Sequence, residues 1–179
     1  SRFNILQSLL RLRQICCDPR LLGAKLGPND SSAKVQALLD HIEPLVAEGH
    51  KVLIFSQFVK MLELLQTELK QVGIAHLTLT GKTENRQQLV DRFQEPDTES
   101  VFLLSLKAAG TGLNLTAASY VVLFDPWWNP AVEAQAIDRT HRIGQKSQVI
   151  AYRLIAKNTI EEKIRKLQDE KSALAGAIV

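Results

Sequence analysis

Residues 101–124 read VFLLSLKAAGTGLNLTAASYVVLF. Two nearly unbroken apolar runs of strand length, Val101–Leu104 and Tyr120–Phe124, enclose a stretch rich in small, hydroxyl and glycine residues. A strand with one wet face alternates apolar and polar residues; a strand apolar at every position has both faces covered. Working outward, Val52–Phe55 has the same texture, and Ala75–Leu79 and Val149–Ile155 are further strand candidates. Between the strands lie segments with helical spacing: Ala33–Glu48, Val59–Val72, a segment opened by Thr83 and Glu84 and running to Phe93, and one opened by Asn129-Pro130 and running to about Arg142. Asn129 suits an N-cap and Pro130 is preset for the first helical position. Strands alternating with helices predict an α/β domain built on a mostly parallel sheet covered on both sides.

Two further helices stand outside that alternation. Phe3–Cys17 carries Phe3, Leu6, Leu9, Leu10 and Ile15 at helical spacing and is ended by Asp18-Pro19. A loop with Gly23, Gly27 and Pro28 follows, and Thr159 with Glu162 predicts a capping box for a last helix.

Composition narrows the function classes. The 179 residues are 45% hydrophobic and 23% charged, too apolar for a disordered chain. No apolar run approaches the ~20 residues that span a bilayer, and no secretory leader is expected. Cys16 and Cys17 are adjacent, a poor arrangement for a disulfide, and no Cys/His spacing suits zinc. A reducing compartment and no structural metal are the expectation. The net charge is +3, unevenly spread: Arg139–Lys166 holds eight Lys/Arg against two Glu, while the rest holds 14 against 17. Such a basic stretch suits an anionic partner, or only a solvated face.

In a parallel sheet, functional residues collect in loops at the carboxyl ends of the strands. Those loops are Ser56-Gln57, Thr80-Gly81-Lys82, Ser105 to Gly112, and Asp125 to Asn129. Gly81-Lys82-Thr83 imitates the end of a phosphate-binding Walker A loop, but the motif needs a glycine five residues before Gly81, where His76 stands. At 100° per residue, Gln135, Arg139 and Arg142 project within an arc of about 60°, beside an apolar stripe of Val132, Ala136 and Ile143. Two guanidinium groups on one face suit a phosphoryl group. The competing reading is an exposed Asp138–Arg142 ion pair four residues apart. Of Trp127 and Trp128, one is expected in the core and the other towards a nucleic acid or partner domain. His41, His50, His76 and His141 are scattered and are assigned no catalysis.

Ser105–Gln145, SLKAAGTGLNLTAASYVVLFDPWWNPAVEAQAIDRTHRIGQ, closely resembles motifs V and VI of Swi/Snf-type ATP-dependent DNA translocases of helicase superfamily two. LLRLRQICCDP (Leu9–Pro19), KVLIFSQF (Lys51–Phe58) and NTIEEKIRKLQ (Asn158–Gln168) extend the likeness over nearly the whole chain. Ala109 departs from it, standing where the family usually has a glycine. The resemblance implies a three-layer RecA-like lobe, the second of two. Residues 1–32 would come from the region between the lobes, 33–157 would form the lobe, and 158–179 a bracing helix. ATP and Mg2+ would be held mainly by the first lobe. Arg139 and Arg142 would be arginine fingers, with Gln135, Gly110, Gly112 and Asp138 lining the nucleotide cleft. Ser56, Gln57, Thr80, Gly81, Ser105, Lys107 and Trp128 would meet the backbone of double-stranded DNA. The partners implied are that DNA and the first lobe, with no membrane and a monomeric fragment that lacks ATPase activity alone. The location would be the nucleoid of a prokaryote or a eukaryotic nucleus. An RNA-directed helicase lobe of the same superfamily, or a noncatalytic partner-binding module, are the alternatives.

Overall fold

Every residue of β1 (Val52–Ser56) and β3 (Val101–Ser105) is buried, as runs apolar on both faces require. With β2 (His76–Leu79), β4 (Tyr120–Leu123) and β5 (Ile150–Arg153) they form a five-stranded sheet of order β2-β3-β1-β4-β5. All four pairings are parallel, and Val52 stands opposite Val101 on one side and Tyr120 on the other. The computed structural model describes residues 1–27, 30–109, 112–138 and 148–177.

The helices are α1 (Arg2–Cys17), α2 (Ala33–Ala47), α3 (Val59–Gln71), α4 (Arg86–Gln94), α5 (Leu106–Ala109), α6 (Pro130–Asp138) and α7 (Ile160–Ala177). Successive strand residues point to opposite faces, and the core divides accordingly. Val52, Ile54, Val101, Leu103 and Val122 pack with Leu38 and Ile42 of α2 and Met61 and Leu65 of α3. Leu53, Phe55, Phe102, Leu104 and Val121 pack with Val90 and Phe93 of α4, Ala136 of α6 and Trp127. The result is a three-layer α/β sandwich. The terminal helices pack on it: α7 on α1 and α6, and α1 on α2.

Local chemistry moves several expected boundaries. The helix expected at Thr83-Glu84 begins at Arg86, because the Thr83 hydroxyl closes the preceding turn by accepting from the Thr80 N–H at 3.0 Å. The expected Thr159–Glu162 capping box is replaced by a different arrangement. Thr159 Oγ1 accepts from the Glu161 N–H, and Glu161, not the exposed Glu162, reaches back to the Ala156 N–H at 2.8 Å. A 3₁₀ turn at Pro19–Leu22, capped by Asp18 accepting from the Arg20 N–H, takes in Leu21 and Leu22, the first two residues of the stretch 21–32 read as a loop. The short α5 likewise lies in a segment read as loop. The part of the Asn129–Arg142 helix beyond Asp138 lies outside the described residues.

Candidate functional site

The carboxyl ends of β1, β2 and β3 open into a groove of about 720 Å³ with α3 as its outer wall. Gln57, Thr80, Gly81, Ser105 and Lys107, expected from sequence to act together, line it, as do Lys82 and Thr83. Among the described residues, Glu63 is the one carboxylate of the lining. The loop after β2 is tightly organised. Thr80 N–H donates to Thr83 Oγ1 at 3.0 Å, Lys82 N–H to Thr80 Oγ1 at 3.3 Å, and Thr83 N–H to the Thr80 carbonyl at 3.2 Å. A methyl group added to Gly81 would stand 3.0 Å from Lys107 Cδ, so the glycine gives room for the lysine stem lying across it.

Ser56 and Gln57 differ from the expectation. Ser56 is fully buried, with its hydroxyl donating to Asp125 Oδ2 at 2.6 Å and accepting from the Phe58 N–H at 3.1 Å. It therefore lies beneath the groove rather than on its surface. Gln57 lines the groove, but its backbone N–H and its Nε2 both donate to Asp125 Oδ1 at 3.1 Å, and Nε2 also reaches the Pro126 carbonyl at 2.8 Å. Those donors are already engaged. Ser105 is 3% exposed and its hydroxyl accepts from the Ala108 N–H.

Asp125, which sequence reasoning left without a role, is the hub of this loop. Burial pushes its carboxyl up from the ordinary value, opposed by Lys34, by the hydrogen bonds from Ser56 and Gln57, and by Arg13. Arg13 of α1, also missed, is 8% exposed. Its guanidinium donates to the Pro126 carbonyl and lies over the rings of Phe58 and Trp128, 5.7 and 5.4 Å from their centroids. Trp127 is the core tryptophan, and Trp128, 38% exposed, stands against Arg13 and not in the groove lining. The sequence signals for Asp125 were its place at a strand's carboxyl end and in the DPWWNP stretch, and for Arg13 its place in the LLRLRQICCDP stretch; neither said which partner the side chain meets.

On α6, Gln135 and Asp138 are exposed, while Val132 and Ala136 pack into the core as the stripe requires. Glu133 of the same helix is buried. Its Oε2 accepts from Gln168 Nε2 of α7, its Oε1 lies 3.5 Å from Arg153 Nε, and burial raises its pKa against the pull of Arg153 and Arg165. Gln168 Nε2 also donates to the Trp127 carbonyl. Gly112 adopts φ +76°, a conformation suited to glycine. Gly110, Arg139 and Arg142, and with them the Asp138–Arg142 pair and Ile143, lie outside the described residues.

A match to the family described as helicase conserved C-terminal domain covers residues 33–144. The chain belongs to this family. This helicase C-terminal domain is 52% identical over 150 residues, 80% of its length, to a putative SWI/SNF-related matrix-associated actin-dependent regulator of chromatin subfamily A member 3-like 1 of Arabidopsis thaliana. It is 42% identical over 97% of its length to an ATP-dependent helicase of Mycoplasma pneumoniae, and 42% identical over 90% to the DNA repair protein rad5 of Neurospora crassa. It spans 17%, 17% and 13% of those three relatives. The solved C-terminal part of the Fun30 ATPase domain superposes with a TM-score of 0.75 at 38% identity, covering 89% of this chain and 54% of that one. The fold is therefore the RecA-like lobe of Swi/Snf-type helicases. No helix among the described residues is long and apolar enough to cross a membrane.

Proposed function

We propose that this lobe is the second half of an ATP-dependent motor that moves along double-stranded DNA. The observation that carries the reading is the sorting of polarity in the groove. Thr80, Gly81, Lys82, Thr83 and Lys107, drawn from two loops, line one opening at the carboxyl end of the sheet, so that two lysines and two hydroxyl residues stand there against the one acidic residue Glu63 among the described lining. Such donors suit the phosphates of a nucleic-acid strand, and contacts of that kind carry no base information. Binding is then independent of sequence and weakens with salt. Gln57 joins only by exchanging Asp125 for a phosphate. Ser56 shapes the groove from beneath, Ser105 lines it with its hydroxyl accepting from the Ala108 N–H, and Trp128 meets DNA outside it.

ATP and Mg2+ belong mainly to the first lobe. On this lobe the exposed Gln135 and Asp138 of α6, with Gly110 and Gly112, would border the nucleotide, and Arg139 and Arg142 would meet the charge of the transferred phosphoryl group. Residues 1–32 and 158–179 would link and brace the lobes. The fragment alone would not hydrolyse ATP, and the whole protein would work in a nucleoid or nucleus.

The test uses the full-length protein. Arg139→Ala and Arg142→Ala should each lower duplex-stimulated ATP turnover by about 10³-fold. Lys107→Ala should raise the half-saturating duplex concentration and reduce its salt dependence. Wild-type turnover in both arginine variants overturns the nucleotide assignment. Stimulation by RNA and not by duplex DNA turns the reading to the RNA-directed alternative.

A further inference from the structure

A phosphate groove needs more than donors; it must keep carbonyl oxygens out, because each carries partial negative charge towards the same anion. The loop after β2 contains several peptide carbonyls within a few residues, and one side chain gathers them. Arg86, the first residue of α4, donates from Nε to the Thr83 carbonyl at 3.1 Å. Its Nη2 donates to the Gly81 carbonyl at 3.1 Å and the Thr80 carbonyl at 3.5 Å. Arg86 itself is not part of the groove lining. The Thr80 carbonyl also takes the Thr83 N–H at 3.2 Å, so the guanidinium and that turn together hold the three oxygens of a loop whose Thr80, Gly81, Lys82 and Thr83 line the groove beside Lys107.

Resting on the groove reading above, the geometry points to Arg86 as a positioning residue for DNA binding: its guanidinium collects the carbonyls of Thr80, Gly81 and Thr83 behind the loop, so that the face towards the phosphate is made of donors. Lysine is a poor substitute. A planar fork reaches several acceptors in fixed directions, whereas an ammonium is a point charge on a flexible stem. The role is distinct from touching the phosphate, and the two are separable by salt. A cation that neutralises a phosphate releases counterions and contributes about one unit to the slope of log affinity against log salt; a cation that only shapes a loop contributes nothing to it.

The experiment measures ATP turnover by the full-length protein against duplex concentration at several salt concentrations, for wild type, Arg86→Met, Arg86→Lys and Lys107→Ala. Thermal melting checks that each variant is folded. Arg86→Met should raise the half-saturating duplex concentration about tenfold, the loss of roughly one charge-assisted hydrogen bond's net worth, with the wild-type salt slope. Arg86→Lys should recover part of the loss, again at the wild-type slope; if the methionine variant does not fold, this one carries the test. Lys107→Ala should flatten the slope by about one unit. The inference is overturned if Arg86→Met flattens the slope as Lys107→Ala does, since Arg86 would then hold phosphate itself. It is also overturned if the half-saturating concentration stays at the wild-type value, or if the loss falls only on turnover at saturating duplex. If Lys107→Ala changes neither quantity, the groove reading fails and the Arg86 role fails with it.

Discussion

The ion pair between Lys34 at the start of α2 and Glu161 at the start of α7 joins two helices whose pairing residues are 127 positions apart. Lys34 Nζ lies 2.7 Å from both carboxylate oxygens, with the side chains 7% and 1% exposed. The ammonium also stands 5.1 Å from the centre of the Phe124 ring, and Glu161 Oε1 accepts from the Ala156 N–H. Taking two charges out of water costs about as much as their attraction returns, so the intact pair adds little net stability. Removing one partner is different, because it strands the other charge in the interior, at about 3–5 kcal/mol.

Lys34→Met and Glu161→Leu should therefore each destabilise this chain by about 3–5 kcal/mol, while the double variant should lie within roughly 2 kcal/mol of wild type. The residual loss in the double variant reflects the Ala156 N–H left without its acceptor, about 1–2 kcal/mol because this residue is only half-buried. Urea titration at neutral pH would show midpoints falling for the single variants at an unchanged slope, and recovering in the double. For a chain of this length each kcal/mol moves the thermal midpoint by about 2–4 °C, so the single variants should melt roughly 6–20 °C early. If the double variant is as unstable as the two singles added together, the loss comes from helix packing and not from a stranded charge. Single variants within about 1 kcal/mol of wild type would also refute the reasoning.

Gly81→Ala should leave stability within about 0.5 kcal/mol, since only the flexible Lys107 stem must yield to the new methyl, yet raise the half-saturating duplex concentration of the full-length protein roughly threefold by displacing that lysine; a wild-type duplex titration would refute it. Gln168→Leu strands the Trp127 carbonyl and the Glu133 carboxylate and should cost about 2–4 kcal/mol by urea titration, refuted by a loss below about 1. For Asp18, burial alone would raise the pKa, but hydrogen bonds from the Arg20 side chain and backbone and from Ser32 together hold it below the ordinary value. A depressed folded-state pKa gives stability that is fully present above the unfolded value of about 3.9 and is lost as pH falls through the lower folded one. The stability gap between wild type and Asp18→Asn should thus be constant near neutrality and shrink below about pH 4; a gap independent of pH would sink the assignment.

The central strands were legible because β1, β3 and β4 are apolar on both faces, a pattern with few other uses. The loops at their carboxyl ends were legible as a set for the same topological reason, and five of the expected residues do line one groove. What escaped was every interaction made by a buried polar group. Asp125 reads as an ordinary loop acid, and its partners Ser56 and Gln57 lie 69 and 68 residues away. Glu133 reads as an exposed helix residue until Gln168, 35 positions on, is found beside it. Arg13 is 113 residues from the carbonyl it meets. Helical periodicity separates apolar from polar faces; it does not say which polar residue has a buried partner. Thr83 was misread on a shorter scale, because a threonine ahead of a helix can cap it or close the turn before it, and both look alike in sequence.

The segment 125–128 between β4 and α6 is tied down from three directions. Asp125 and the Pro126 carbonyl hold Gln57 at the groove, the Pro126 carbonyl also takes Arg13 of α1, and the Trp127 carbonyl takes Gln168 of α7. Several of these are bonds of charged or buried groups, worth about 1.5–3 kcal/mol each when a charge is involved. Pulling the segment 125–128 and α6 together away from these neighbours would break them along with the Glu133–Gln168 bond and leave Asp125, Arg13 and Glu133 short of partners in the interior. Moving α6 with the groove loop, α1 and α7 as one body breaks none. The lower-energy displacement is therefore the concerted one. α1 and α7, although outside the β/α alternation, are thus each bonded to the segment that leads into α6, through Arg13 and Gln168.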